Sequence, residues 1–433
     1  MTSAKRAVRS AERSAISLAR AIRTAPKLSS PKAARARVAD WLEEIARDAA
    51  AHALKPLLTV GAKKRASKLS DIVAAIAETS PYLWELIRAD PQRFVVLLEA
   101  EPEARFAAIL AGLSEAGLSA TEEAEIMRAL RRGKAEAALL IALADIGGVW
   151  PLERVTRALT DLADAAVAAA IRFLMRTAAA QGKLRLAADA RPERGTGYFV
   201  LAMGKMGAYE LNYSSDIDLI VLYDENSPAL AAGTEPGALF VRLTRGLVKL
   251  MQERSADGYV FRTDLRLRPD PASTAIAISS LSALNYYEST GQNWERAAMI
   301  KARPCAGDIA AGEAFLKEVS PFIWRKYLDY GAVADVHAMK RQMAAYKGHD
   351  EIAIEGHNIK LGRGGIREIE FFAQTQQLIA GGRHPELRGA RTLRTLQDLA
   401  EGGWIARAAA DDLSAAYRFL RTVEHRLQMI ADE

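Results

Sequence analysis

The sequence predicts an α+β protein in which a small mixed sheet lies between two long helical regions. Residues 1–185 are dominated by Ala, Leu, Glu and Arg, which are strong helix formers. Residues 186–310 contain short apolar runs bounded by glycine and proline, which is typical of buried strands. Residues 311–433 return to helical spacing. We therefore expect an N-terminal helical region, an α+β core and a C-terminal helical domain.

Apolar residues in the first region recur at intervals of three and four, as on one face of a helix. Two such faces are Trp41, Ile45 and Ala49, and Val155, Leu159, Leu162 and Ala166. Thr79, Ser80 and Pro81 predict that one helix stops and the next begins. A polar break at 191–197 separates this region from the core.

Four strands are predicted in the core: Tyr198–Met203, Ile217–Tyr223, Tyr259–Leu267 and Met299–Ala302. Prolines at 269 and 304 are expected to end the last two, because proline cannot donate to a sheet. The segment 204–215 predicts a loop with one helical turn. Further helices are predicted over Leu239–Arg254, Ile366–Ile379 and Leu413–Ile430. The last of these has no stop signal, so we expect the natural chain to continue.

Composition excludes several classes of protein. Of the 433 residues, 50% are apolar and 26% are charged, as in ordinary globular domains. Cys305 is the only cysteine, so no internal disulfide can form and a reducing, cytoplasmic location is expected. No run of ~18 uncharged apolar residues occurs, so no membrane helix is expected. The basic opening of about 40 residues resembles a transit peptide, but an ordinary basic segment is favoured.

The net charge of +6 and the pI of about 9.2 are a mild basic bias over this length. Such a bias fits an acidic or phosphorylated ligand. It does not require a nucleic-acid partner, and we expect none.

Two acids stand at the start of the second predicted strand. Asp216 and Asp218 are two residues apart, so both side chains project from the same face. Two close carboxylates repel, and burial increases the repulsion. A divalent cation relieves it, and oxygen ligands of this kind suit Mg²⁺ or Mn²⁺. A solvated strand end is the alternative for this common pattern.

Glycines and arginines near these acids suggest phosphate binding. Gly204 and Lys205 follow a buried strand, where glycine lets backbone N–H groups approach a phosphate. Asp264 is predicted to share a strand face with Arg266 and Arg268. These residues suit a third metal carboxylate among phosphate-binding guanidiniums, or a salt-bridged exposed face.

The run from Leu201 to Ile220, LAMGKMGAYELNYSSDIDLI, resembles the signature of the bifunctional glutamine synthetase adenylyltransferase/adenylyl-removing enzymes. Three further stretches resemble the same family: Arg262–Pro269, Trp294–Arg303 and Ile359–Phe371. The resemblance is clearest over 197–380. Ala208 departs from it, since a second glycine is frequent there. The sequence Ser-Ser-Asp-Ile-Asp and the length of the chain are similar to those of the N-terminal, adenylyl-removing half.

The resemblance implies a nucleotidyltransferase core, similar to that of polymerase beta. It implies that Asp216 and Asp218 hold two Mg²⁺ or Mn²⁺ ions and that Asp264 completes the inner one. Phosphate-binding roles are implied for Gly204, Lys205, Ser215, Arg266 and Arg268. Charged residues of the other stretches, among them Lys301, Arg303, Arg367 and Glu370, are candidates for substrate contacts or for salt bridges.

The implied reaction is phosphorolysis of AMP from a tyrosine of glutamine synthetase, which gives ADP. Control by the PII signal protein is also implied. Three alternatives remain open: adenylyl transfer from ATP, a nucleic-acid nucleotidyltransferase, and a non-catalytic module that keeps the fold. The six histidines show no metal-ligand spacing and receive no role.

Overall fold

The computed structural model describes residues 16–58, 67–187, 191–325 and 355–432. The first 15 residues of the basic opening segment lie outside these ranges. Contacts divide the chain into two units. One comprises Met1–Gly112, Arg132–Ala158 and Leu427–Glu433, and the other comprises Leu113–Arg131 and Leu159–Arg426. No helix in the described ranges is both long and apolar enough to span a bilayer.

The first part of the chain is helical, as predicted. Its helices are α1 Leu18–Ala21, α2 Pro31–Glu44, α3 Ala49–Leu58, α4 Lys68–Thr79, α5 Pro81–Ala89, α6 Pro91–Glu99, α7 Pro102–Ser119, α8 Glu123–Ile146 and α9 Leu152–Ala180.

Capping residues explain several of these boundaries. The predicted break at Ser80 is confirmed: α4 ends at Thr79, and Ser80 Oγ accepts a hydrogen bond from Leu83 N at the start of α5. Asp90 caps α6 in the same way through Arg93 N. Proline occupies the first position of both helices, where its missing N–H has no consequence.

A five-stranded mixed sheet forms the centre of the second unit. Its strands are β1 Tyr198–Ala202, β2 Ile217–Tyr223, β3 Thr263–Asp264, β4 Ile278–Ser279 and β5 Arg303–Gly307. The order is β3-β2-β1-β5, and β4 also pairs with β2. β1 is antiparallel to β2 and to β5, whereas β3 and β4 run parallel to β2. The predicted α+β class with a small mixed sheet is confirmed.

The remaining helices follow the strands. They are α10 Gly204–Gly207, α11 Pro236–Gln252, α12 Ser280–Ser289, α13 Asn293–Met299, α14 Ile309–Ile323, α15 Ile366–Ala380, α16 Thr392–Glu401 and α17 Arg407–Ala431, with a short 3₁₀ helix at Pro385–Leu387. One apolar core packs α12, α13 and α14 on the sheet through Leu201, Ile220, Tyr287, Phe315 and Phe322. The single helical turn predicted within 204–215 is α10.

Two strand predictions are wrong. The strand expected over Tyr259–Leu267 is confined to β3, because the chain turns at 266–270. Arg266 and Arg268 therefore do not share a strand face with Asp264. The segment expected to be a strand over Met299–Ala302 is instead the last residue of α13 and the turn that follows it. This helix begins with a capping box between Gln292 and Glu295. The strand follows instead as β5, and Pro304 is tolerated there because β5 is an edge strand.

The boundaries predicted at 185 and 310 follow changes of secondary structure, and they remain predictions. Ala208, where the family often has glycine, is fully buried in right-handed helical geometry at the end of α10, a conformation that alanine adopts freely.

Gly207 allows α10 to pack closely against neighbouring backbone. A Cβ at this position would collide with the carbonyl oxygen of Lys301 and lie 2.6 Å from that of Ala202. Neither carbonyl can move without shifting β1 or the segment that leads into β5.

We expect Gly207→Ala to lower the free energy of unfolding by roughly 1–3 kcal/mol, the usual cost of overpacking. Urea denaturation followed by circular dichroism measures this. Gly112→Ala is the control, because Gly112 is at an exposed position of α7 and an added Cβ there meets nothing within 4 Å. That control is expected to be neutral or slightly stabilising, and equal stability of both variants would contradict the packing argument.

Candidate functional site

Two of the three candidate carboxylates are direct neighbours in the sheet. β2 and β3 pair in parallel with Asp218 opposite Asp264, so both side chains lie on one face. Asp216 precedes β2 by one residue, and its charge acts on Asp218. The structure therefore brings together Asp216, Asp218 and Asp264, the three acids that the sequence selected.

The turn after β1 lies against the central acid. Gly204 has φ of +52°, a left-handed conformation that favours glycine. A Cβ on Gly204 would lie 2.7 Å from Asp218 Oδ2. Met203 N donates a 2.9 Å hydrogen bond to the carbonyl of Asp218. Both the backbone conformation and the contact thus require glycine beside this carboxylate.

Burial and the neighbouring acids disfavour charge on Asp218. The pKa of Asp218 is raised to about 6, mainly by burial and also by the negative charges of Asp264 and Asp216. The positive charges of Arg367 and Lys360 act in the opposite direction. A half-buried carboxyl next to two others is the environment in which a bound cation gives the greatest stabilisation.

Arginines pair with the other two acids. Arg262 Nε donates to Asp216 Oδ1 at 2.5 Å, and its NH2 group donates to Ser214 Oγ. Arg266 donates to both carboxylate oxygens of Asp264, through Nε to Oδ1 and through NH2 to Oδ2, and this hydrogen bonding is the main cause that lowers the pKa of Asp264.

This arrangement is not a preformed metal cage. Within the described ranges, no group of three or more Asp, Glu, His or Cys side chains is arranged to hold a metal ion. A cation would have to displace Arg262 and Arg266 from the carboxylates. Their side chains are 41% and 83% exposed, so both can turn into solvent. The donor set fits a hard cation such as Mg²⁺ or Mn²⁺ once these guanidiniums move.

The residues expected to bind phosphate occupy different environments. Ser215 Oγ donates to the carbonyl of Asp216. Arg268 donates to the carbonyls of Leu265, Pro271 and Thr274, so it fastens the turn after β3. Arg266 is exposed at the site.

Lys205 lies in the interior rather than on the loop surface. Its ammonium is 3.4 Å from Glu424 of α17, and burial is the main cause that lowers its pKa to about 8. Its predicted contact with phosphate remains a prediction.

A buried polar cluster behind the glycine turn was not predicted from the sequence. Glu210 accepts hydrogen bonds from Thr392 N, Thr392 Oγ1 and Tyr417 OH. Arg421 donates to Tyr417 OH at 2.6 Å and to the carbonyl of Glu210 at 2.6 Å. Its signal in the sequence is the spacing of Tyr417, Arg421 and Glu424, which places three polar groups on one face of α17.

Charged residues in two of the family-like stretches also lie in or near this cluster. Lys301 Nζ is 3.8 Å from Glu210 and 4.0 Å from Glu370. Arg303 pairs with Asp164 at 2.9 Å. For Lys301 and Arg303 the structure shows salt bridges, which was one of the two roles considered for them. The polar groups join α10, α15, α16 and α17 around the turn that supports Asp218.

Comparison with known proteins gives two family matches. Residues 69–318 match the family model of glutamate-ammonia ligase adenylyltransferase. Residues 336–433 match the model described as GlnD PII-uridylyltransferase.

Three similar curated proteins are each named bifunctional glutamine synthetase adenylyltransferase/adenylyl-removing enzyme. The protein of Rhodopseudomonas palustris (strain HaA2) is 58% identical over 98% of this chain and 42% of its own length. The protein of Bradyrhizobium diazoefficiens is 62% identical over 84% of this chain and 36% of its own length. That of Xanthobacter autotrophicus is 53% identical over 96% and 41%.

The chain thus spans about two fifths of the length of these relatives, and the matched part is their N-terminal portion. The first family model covers more than half of the chain, including the whole sheet and all three acids. The family resemblance inferred from the sequence is confirmed. The chain belongs to the glutamate-ammonia ligase adenylyltransferase family.

Proposed function

We propose that this site removes AMP from an adenylylated tyrosine of glutamine synthetase by phosphorolysis. An oxygen of inorganic phosphate attacks the phosphorus of the AMP group, and the bond from phosphorus to the tyrosine oxygen breaks. The products are ADP and the free tyrosine side chain. The observation that carries the proposal is the side-by-side placement of Asp218 and Asp264 beneath the Gly204 turn.

We propose Asp216, Asp218 and Asp264 as the ligands of Mg²⁺ or Mn²⁺. A divalent cation bound there would neutralise charge on the phosphoryl oxygens and on the departing phenolate. Gly204 keeps the space beside Asp218 free of side-chain atoms. Arg266, once released from Asp264, is available to a phosphoryl oxygen. A tyrosine leaving group has a pKa of about 10, so these residues do not need to supply a general acid.

The opposite reaction, adenylyl transfer from ATP, would use the same carboxylates. The names of the relatives contain both activities, so the two reactions must be separated by experiment. Their names and the second family match also support glutamine synthetase and the PII signal protein as proposed partners.

Incubation of the chain with adenylylated glutamine synthetase, phosphate and Mn²⁺ is expected to release ADP in proportion to the AMP removed. Asp264→Asn should lower the rate roughly 100-fold or more, since a lost metal carboxylate removes several kcal/mol of charge stabilisation. Asp411→Asn is the matched control, because Asp411 is an exposed aspartate of α17 outside the site.

AMP incorporation from ATP into unmodified glutamine synthetase, without any phosphate-dependent ADP release, would instead assign the transfer reaction to this chain. If Asp264→Asn and Asp411→Asn release ADP at equal rates, Asp264 is not part of the site.

Proton competition is expected to control Mn²⁺ binding to the free chain. The pKa of Asp218 is about 6, above that of an ordinary aspartate, and the ligand must be deprotonated to bind metal. The apparent Mn²⁺ affinity should therefore be constant above about pH 7 and should fall about tenfold per pH unit below 6.

Titration followed by the electron paramagnetic resonance of free Mn²⁺ measures this dependence. An affinity that starts to fall only near pH 4 would mean that Asp218 does not bind the ion. Asp218→Asn serves as the reference for proton effects elsewhere in the chain.

A further inference from the structure

The arginines next to the candidate metal acids are already engaged in contacts with the protein. Arg262 uses its three nitrogens for Asp216, Tyr259 OH and Ser214 Oγ. Arg266 binds Asp264, so a cation that takes this carboxylate removes the anchor of Arg266. Arg268 is occupied by three carbonyls of its own turn. A phosphate group that must bind together with the cation therefore needs a positive group with an independent anchor.

Arg367, in the first turn of α15, has such an anchor. Its NH1 group is 3.5 Å from Glu370 Oε2, one helical turn further on. The side chain of Glu370 is 1% exposed, whereas that of Arg367 is 48% exposed. The guanidinium is thus held at one end by a buried carboxylate and reaches solvent with its remaining N–H donors.

The charged form of Glu370, the carboxylate that anchors Arg367, is favoured by its surroundings. Burial by itself would raise the pKa of Glu370, but the positive charges of Lys301, Lys205, Arg367 and Arg421 outweigh it and hold the pKa at about 2. Tyr417 OH also donates to Glu370 Oε1 at 3.4 Å. A cation bound at the aspartates leaves these contacts intact.

The segment before α15 brings the backbone of Lys360 into contact with that of Arg367. Asn358 Oδ1 accepts hydrogen bonds from Lys360 N and Leu361 N, and Arg367 N donates to the carbonyl of Lys360 at 3.0 Å. Both Arg367 and Lys360 act electrostatically on Asp218. The two cationic groups therefore lie within range of the candidate metal acids but outside the sheet that carries them.

We propose that Arg367, oriented by the buried carboxylate of Glu370 and supported by Lys360, is the group that binds inorganic phosphate at this site. The planar guanidinium offers two parallel N–H donors to a phosphate, a geometry that lysine cannot reproduce. Glu370 acts as a positioning residue. The inference rests on the proposed phosphorolysis, because that reaction is what requires free phosphate.

The test measures phosphate affinity by calorimetry on the whole chain with saturating Mn²⁺, and the KM for phosphate in the ADP assay. Arg367→Gln should weaken phosphate affinity and raise KM about tenfold or more, with Mn²⁺ affinity changed less than twofold. Arg367→Lys should have a phosphate affinity and a KM between those of Arg367→Gln and the wild type. Arg407→Gln, which alters an exposed arginine at the start of α17 outside the family-like stretches, is the matched control and should behave as the wild type.

Glu370→Gln tests the positioning role, because it keeps Arg367 but removes the anchoring charge. It should raise the KM for phosphate more than it lowers kcat. If this variant fails to fold, Arg367→Gln still decides the proposal, since it alters an exposed side chain.

The outcomes separate this inference from the proposed reaction. Phosphate binding that requires Arg367, without ADP release by the wild type, would support the phosphate site and overturn phosphorolysis. ADP release with an unchanged KM in Arg367→Gln would overturn the phosphate site alone. A wild-type chain that neither binds phosphate nor releases ADP would overturn both.

Discussion

The contact between Gly204 and Asp218 constrains the rest of the site. Asp218 is half buried because the glycine turn covers it, and the turn can lie there because residue 204 has no Cβ. The same burial raises the pKa of Asp218 and makes a nearby positive charge favourable. The register of β2 against β3 then places Asp264 beside it. The close approach of the Gly204 backbone to Asp218 thus determines both the geometry and the electrostatics of the site.

The glycine turn in turn depends on helices that come much later in the chain. Lys205 follows Gly204 directly, and its buried ammonium faces Glu424 of α17. Glu210 binds Thr392 at the start of α16 and also Tyr417. Groups buried in this way are costly unless each is paired, so they strongly favour one arrangement of these helices. The C-terminal helices of the second unit therefore support the turn as well as covering the sheet.

Two kinds of arginine surround the acids, and their anchors distinguish them. Arg262 and Arg266 pair with Asp216 and Asp264 and offset the negative charge of these two acids. Arg367 is held by Glu370, which takes no part in the trio of acids. A cation at the aspartates would compete with the first kind and leave the second in place. This difference links the buried polar cluster to the chemistry proposed at the surface of the sheet.

The sequence by itself determined the α+β class, the strands β1 and β2, and the choice of Asp216, Asp218 and Asp264. These features depend on local patterns: apolar runs, two-residue spacing and glycine next to a strand end. Only the tertiary structure decided that β3 is two residues long, that β5 includes Pro304 on an edge, and that Lys205 is buried. It also decided that Glu210, Tyr417, Arg421 and Glu424 meet behind the turn. Pairing between residues some 200 positions apart depends on how helices pack, and it cannot be predicted from the local spacing of residues.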